Sequence, residues 1–82
     1  MNNSKYDSVF LELFSLEPKQ LNAQLIYQSV DSWDSVGHME LVSNLESVFS
    51  ITLEMDDIID FSSYEEGKII LSKYGVHFET SE

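Results

Sequence analysis

Apolar residues near the start of the chain recur with the period of an α-helix. Tyr6, Val9, Phe10, Leu13 and Phe14 stand at i, i+3, i+4, i+7 and i+8, forming one stripe. A second series, His38, Leu41, Val42, Leu45, Val48 and Phe49, falls on one face of another helix. In 82 residues there is room for one compact core, which the 43% apolar content can supply, and without a cysteine no disulfide can reinforce it. The chain is therefore expected to be all-α, a single domain over residues 1–82 with its core at about 4–76.

The first helix is expected at about residues 4–16 and is stopped by Pro18, which drives the preceding residue out of the helical region. A long connection follows over 17–34. Leu21, Leu25, Ile26 and Tyr27 are expected to pin it to the core, while Ser29, Asp31, Ser32 and Asp34 read as turn and cap residues. The second helix, about 35–50, turns Val36, Met39, Glu40, Ser43, Glu46 and Ser47 away from its core face. Two apolar side chains, Val36 and Met39, thus stand on a wet face within one turn of Ser35. Ile51-Thr52-Leu53 has no evident partner strand.

Met55, Ile58, Ile59 and Phe61 mark a short third helix at about 55–60, with acidic residues at its start. Ser62-x-x-Glu65 and Ser63-x-x-Glu66 are overlapping capping boxes that open a last helix. Tyr64, Ile70, Leu71 and Tyr74 supply its apolar face, and Gly75 suits the C′ position. In the tail, residues 76–82, Val76 and Phe78 are expected to dock.

Charge narrows the partners. The net charge is −11, from 15 acidic residues against four lysines and no arginine, and no lysine lies between Lys19 and Lys68. Such a chain repels nucleic-acid phosphates and anionic membrane surfaces, and it favours basic protein partners. The acidic window should make the second and third helices a negative surface centred near Ser35. Residues Met1 to Asp7 lack a basic segment followed by a long apolar run, and no stretch is long enough to cross a bilayer. A cytoplasmic monomer is expected.

Ser35 reads first as a helix N-cap. Asp34 can serve as the cap instead, leaving an exposed, rigidly placed hydroxyl near helix N–H groups that tolerate a phosphate. His38 lies on the core face and is expected to be half-buried with one ring nitrogen hydrogen-bonded. Ser35, His38 and Asp34 within one helical turn cannot take up the roles of a catalytic triad. With His77 the only other histidine, no metal cluster is supported. Asp56, Asp57 and Asp60 do not follow the calcium-loop pattern, and glycines at 37, 67 and 75 make no phosphate loop. The chain is not expected to be an enzyme, and any thiol it uses must come from outside the polypeptide.

The run Trp33-Asp34-Ser35-Val36-Gly37-His38-Met39-Glu40-Leu41-Val42 resembles the Asp-Ser-Leu signature of acyl carrier proteins of the freestanding bacterial type. The likeness continues through Leu45-Glu46, Phe49, Ile51 and Leu53, then Asp57-Ile58-Ile59 and Phe61, to Gly67, Ile69-Ile70-Leu71 and Lys73-Tyr74-Gly75-Val76. The resemblance implies a four-helix acyl-carrier-like bundle with a short third helix and a long loop between helices 1 and 2. It implies that Ser35, beside the motif aspartate Asp34, carries a 4′-phosphopantetheine arm holding acyl groups as thioesters. A phosphopantetheinyl transferase, with coenzyme A and magnesium, would join the Ser35 oxygen to the arm through a phosphodiester. Acyl-loading and acyl-using enzymes would then dock their basic patches on Val36, Met39, Glu40 and Glu46, with Asp56 and Asp57 of the acidic window beside them.

Val36 replaces the commoner leucine of that family. Gly37 replaces a frequent acidic residue and is expected to weaken the first turn, and Ser43 replaces a frequent apolar contact. These departures suggest a specialised pathway, such as one making a surface glycan, a lipid or a secondary metabolite, rather than bulk fatty-acid synthesis. An aminoacyl or peptidyl carrier is a rival reading, but its usual Gly-Gly approach to the serine is Ser32-Trp33-Asp34 here. An acidic adaptor lacking the arm is a second rival, against which the intact Asp34-Ser35 pair speaks.

Overall fold

The computed structural model describes residues 2–78, and the protein is all-α across them. Helix α1 spans Asn2–Phe14, a single 3-10 turn Pro18–Gln20, α2 Ser35–Phe49, α3 Met55–Asp60 and α4 Tyr64–Ser72. Among the described residues there is no strand, only an isolated bridge between Ile26 and Ser63. Residues 79–82 of the expected tail lie outside the described part; within it, Val76 is buried and Phe78 packs on Tyr6 and Phe49.

The ends of α1 and α2 are set by backbone geometry more than by side-chain type. Helix α1 starts two residues earlier than expected, and it also stops two residues earlier, because Ser15 takes the left-handed conformation (φ 54°). Leu16 N–H then donates to Leu11 O at 3.1 Å, and Pro18 merely opens the following 3-10 turn. The end of α2 repeats this with Ser50 at φ 56° and Ile51 N–H on Glu46 O at 3.1 Å. Only after α4 does a glycine fill the role. Gly75 (φ 89°) donates to Ser72 O and Val76 to Leu71 O, each at 3.2 Å, the paired bonds of a Schellman end.

A left-handed non-glycine residue costs about 1–2 kcal/mol, and glycine's extra unfolded-state freedom offsets about 0.4–1 kcal/mol of that. Ser50→Gly is therefore expected to stabilise the protein by on the order of 0.5–1 kcal/mol. The check is a higher urea midpoint with an unchanged slope.

The core is an aromatic cluster. Tyr6, Phe10, Phe14, Trp33, Phe61 and Tyr64 are buried and pack ring on ring, joined by Leu41, Leu45 and Leu71. Burial of each such side chain is worth roughly 1.5–3 kcal/mol, against about 1 kcal/mol for a typical helix cap. Tyr6 donates to Tyr64 O at 2.7 Å and Tyr64 to Asp7 Oδ1 at 2.5 Å, tying α1 to α4. Burial pushes both phenols well above the usual tyrosine range, with the Asp7 contact adding to the effect on Tyr64. The long connection is knitted to the start of α4 by Tyr27 N–H on Ser62 O and Tyr64 N–H on Leu25 O, both 2.9 Å.

Two apolar placements differ from those expected. Val48 is exposed, at the margin of the α2 stripe, and Ile26 is exposed beside its buried neighbour Leu25. Helix α3 contains no buried residue. Two turns cannot sustain themselves in water. The helix is held instead by the buried Leu53 before it and Phe61 after it, with Ile58 half-buried against the core.

Candidate functional site

The start of α2 is built from the inside outwards. Trp33 is fully buried, stacked on Phe14 (centroids 5.6 Å apart, 20° between planes) and set edge-on to Phe10. Its backbone closes a turn, with Trp33 N–H on Val30 O at 3.1 Å and Gln28 N–H on Trp33 O at 3.0 Å. The next residue, Asp34, is extended and caps the helix, its Oδ1 accepting from Gly37 N–H at 2.9 Å. The cap is thus Asp34, and the Ser35 hydroxyl is not needed for it.

Ser35 is exposed as the first helical residue, and its Oγ lies 3.2 Å from the Tyr27 hydroxyl. By helix geometry the N–H groups of Ser35 and Val36 have no acceptor within the helix and remain available to an anion. Gly37 is buried, and a Cβ there would stand 2.0 Å from Ser32 O. This glycine lets the 30–33 turn lie directly against α2.

His38 is half-buried, as expected, but both of its ring nitrogens are engaged. Trp33 Nε1–H donates to Nδ1 at 3.0 Å, and Nε2 bonds Ile58 O at 2.9 Å. Neither nitrogen is free to act as a base toward Ser35.

Beside the Ser35 hydroxyl lies a cleft of about 320 Å³ between α2 and α3. Tyr27, His38, Met39, Met55, Ile58 and Ile59 line it, with Phe61 and Ser62 at one end. Its rim is apolar yet wet: Met39 is 53% exposed, Met55 67% and Ile59 68%, and Val36, next to Ser35 in the chain, is 69% exposed. Val36 and Met39 were expected outside. Met55 and Ile59 were expected only to mark a short third helix; their spacing of four puts them together on a face that Phe61 does not share. Tyr27 was expected only to pin the loop, and nothing in the sequence indicates that its hydroxyl reaches Ser35.

Comparison of the chain with family models, curated proteins and solved structures gives no match. The site must be judged on its own geometry.

The acidic residues divide into free and engaged. Glu40 and Asp56 are exposed. Glu46, expected on the open face, is half-buried, and its Oε2 accepts from Leu53 N–H at 2.8 Å, anchoring the α2–α3 connection. Asp57 accepts from Lys73 Nζ at 2.7 Å and from the Tyr74 hydroxyl at 2.5 Å. Those two bonds, Lys73's above all, hold the Asp57 carboxyl below the usual carboxylate range, and the carboxylate in turn raises both donors. Glu46 and Asp57, named with Glu40 and Asp56 as docking charges, thus each have partners within the fold. Among the described residues, no group of three or more side chains could hold a metal ion, and no helix is long and apolar enough to cross a membrane.

Proposed function

We propose that this chain is an acyl carrier, with Ser35 the point at which a 4′-phosphopantetheine arm is attached. One observation carries the reading most: an exposed serine hydroxyl, relieved of capping by Asp34, stands at the mouth of an apolar cleft. The arm, when attached, supplies the thiol that this chain lacks and holds acyl groups as thioesters. Helix α2 presents Ser35 rigidly, its first N–H groups favour the phosphodiester, and the Tyr27 hydroxyl steadies the seryl oxygen. The cleft offers apolar cargo a place out of water, and its lining suits an acyl chain better than a charged aminoacyl group.

The helix order supports a four-helix acyl-carrier-like bundle: α1, a long loop, α2, a short α3 and α4. Glu40 and Asp56 carry the open charge that a basic transferase or acyl-handling enzyme would meet, with Val36 and Met39 sealing the contact. Such a carrier catalyses nothing itself and works as a cytoplasmic monomer, apart from nucleic acid and membranes.

The test is intact-mass measurement after incubation with coenzyme A, magnesium and a broad-specificity phosphopantetheinyl transferase. A gain of one phosphopantetheine, absent from Ser35→Ala, is expected. A folded wild-type protein that gains no mass overturns the carrier reading and leaves an armless acidic adaptor.

A further inference from the structure

The width of the cleft depends on what holds α3, since that helix buries no residue of its own. On one side Asp57 binds Lys73 and Tyr74, and the Tyr74 hydroxyl accepts from Glu54 N–H at 3.0 Å. Those bonds tie α3 to the end of α4. On the other side stands His38. An indole N–H can only donate, so His38 Nδ1 accepts from Trp33 and the ring proton resides on Nε2. Nε2–H then donates to Ile58 O, a carbonyl in the last turn of a six-residue helix where no intrahelical N–H reaches it. This hydrogen bond joins α2 to α3 across the cleft. The ring itself packs against Tyr27, Phe61 and Trp33, with centroids 5.5, 5.9 and 6.2 Å away, and so forms the inner wall.

We infer that His38 is a positioning and specificity-determining residue, which by bracing Ile58 against Trp33 sets the α2–α3 spacing and hence the length of apolar chain the cleft accepts. The cargo side of this rests on the carrier reading; the brace does not, because it is complete in the chain without an arm. An apolar replacement leaves Trp33 Nε1–H and Ile58 O unpaired together, whereas glutamine retains an acceptor and a donor.

The first measurement is amide hydrogen exchange on the arm-free protein. His38→Leu is expected to speed exchange across Ile58–Phe61 about tenfold or more while leaving α1 nearly unchanged, and His38→Gln to recover most of the protection. The second uses the absence of cysteine: Ser35→Cys creates a single thiol that exchanges with dibutyl, dioctyl or didodecyl disulfide, placing an alkyl chain at the cleft without any transferase. The chain that best protects α3 should be longer with His38→Leu added and revert with His38→Gln. Unchanged α3 exchange, a rise shared equally by α1, or the same best chain in both backgrounds overturns the inference. Should His38→Leu fail to fold, a wild-type nitrogen spectrum showing the ring proton on Nδ1 overturns it equally. A missing mass gain in the transferase assay leaves these outcomes untouched, so the two readings fail separately.

Discussion

Gly37→Ala is expected to destabilise the protein by about 1–3 kcal/mol and to slow modification of Ser35. Helix propensity alone points the other way, since alanine is better than glycine inside a helix by about 1 kcal/mol. The steric term decides the sign. A Cβ at residue 37 would sit 2.0 Å from Ser32 O and 3.1 Å from Ser32 C, with Phe14 Cε1 at 3.3 Å. The obstacle is backbone rather than the tip of a flexible side chain. That backbone leads into Trp33, which is locked between Phe14 and His38. Relief must come from moving the 30–33 turn or the first turn of α2, and either displaces Ser35. Urea denaturation and the initial rate of mass gain check the two halves. A stabilised variant with normal modification would show that the turn yields freely.

The double charge reversal Glu40→Lys with Asp56→Lys is expected to lower the transferase's kcat/KM by about tenfold or more at low ionic strength. Both residues are exposed, so their charges act through solvent on an approaching partner. The deficit should shrink towards molar salt, where the screening length falls to about 3 Å. Reversal at Asp57 is a poorer probe because it also removes the acceptor of Lys73 and Tyr74. Glu46→Gln alters the group that receives Leu53 N–H and should appear mainly as a change in stability. An unchanged kcat/KM for the Glu40 and Asp56 pair at low salt would remove the electrostatic part of the proposed docking surface.

What the sequence reveals divides along physical lines. The spans of α2 and α3, the Asp34 cap, the Ser63 cap of α4 (its Oγ accepts from Glu66 N–H at 2.9 Å) and the left-handed Gly75 were legible, because each depends on residues within a few positions of one another. The wet placement of Val36 and Met39 was legible for the same reason. The stops at Ser15 and Ser50 were not, since serine carries no preference for the left-handed region. Val48 misled because a period assigns a face and cannot tell how far the neighbouring element extends over it. The Tyr27 hydroxyl on Ser35, the second bond of His38 and the engagement of Glu46 and Asp57 arise between separate segments. Gly37 is the sharpest case. Read locally it weakens a helix; in the fold it is the residue that lets the Trp33 turn and the Ser35 helix touch.

The burial of Trp33 gives this protein an internal optical gauge. It is the chain's single tryptophan, two residues before Ser35, with its indole nitrogen bound to His38 and its face on Phe14. Its emission should therefore be blue-shifted in the native state and move to longer wavelength when the 30–33 turn opens to water. Events at Ser35 can be followed by intrinsic fluorescence, with no dye and no added label.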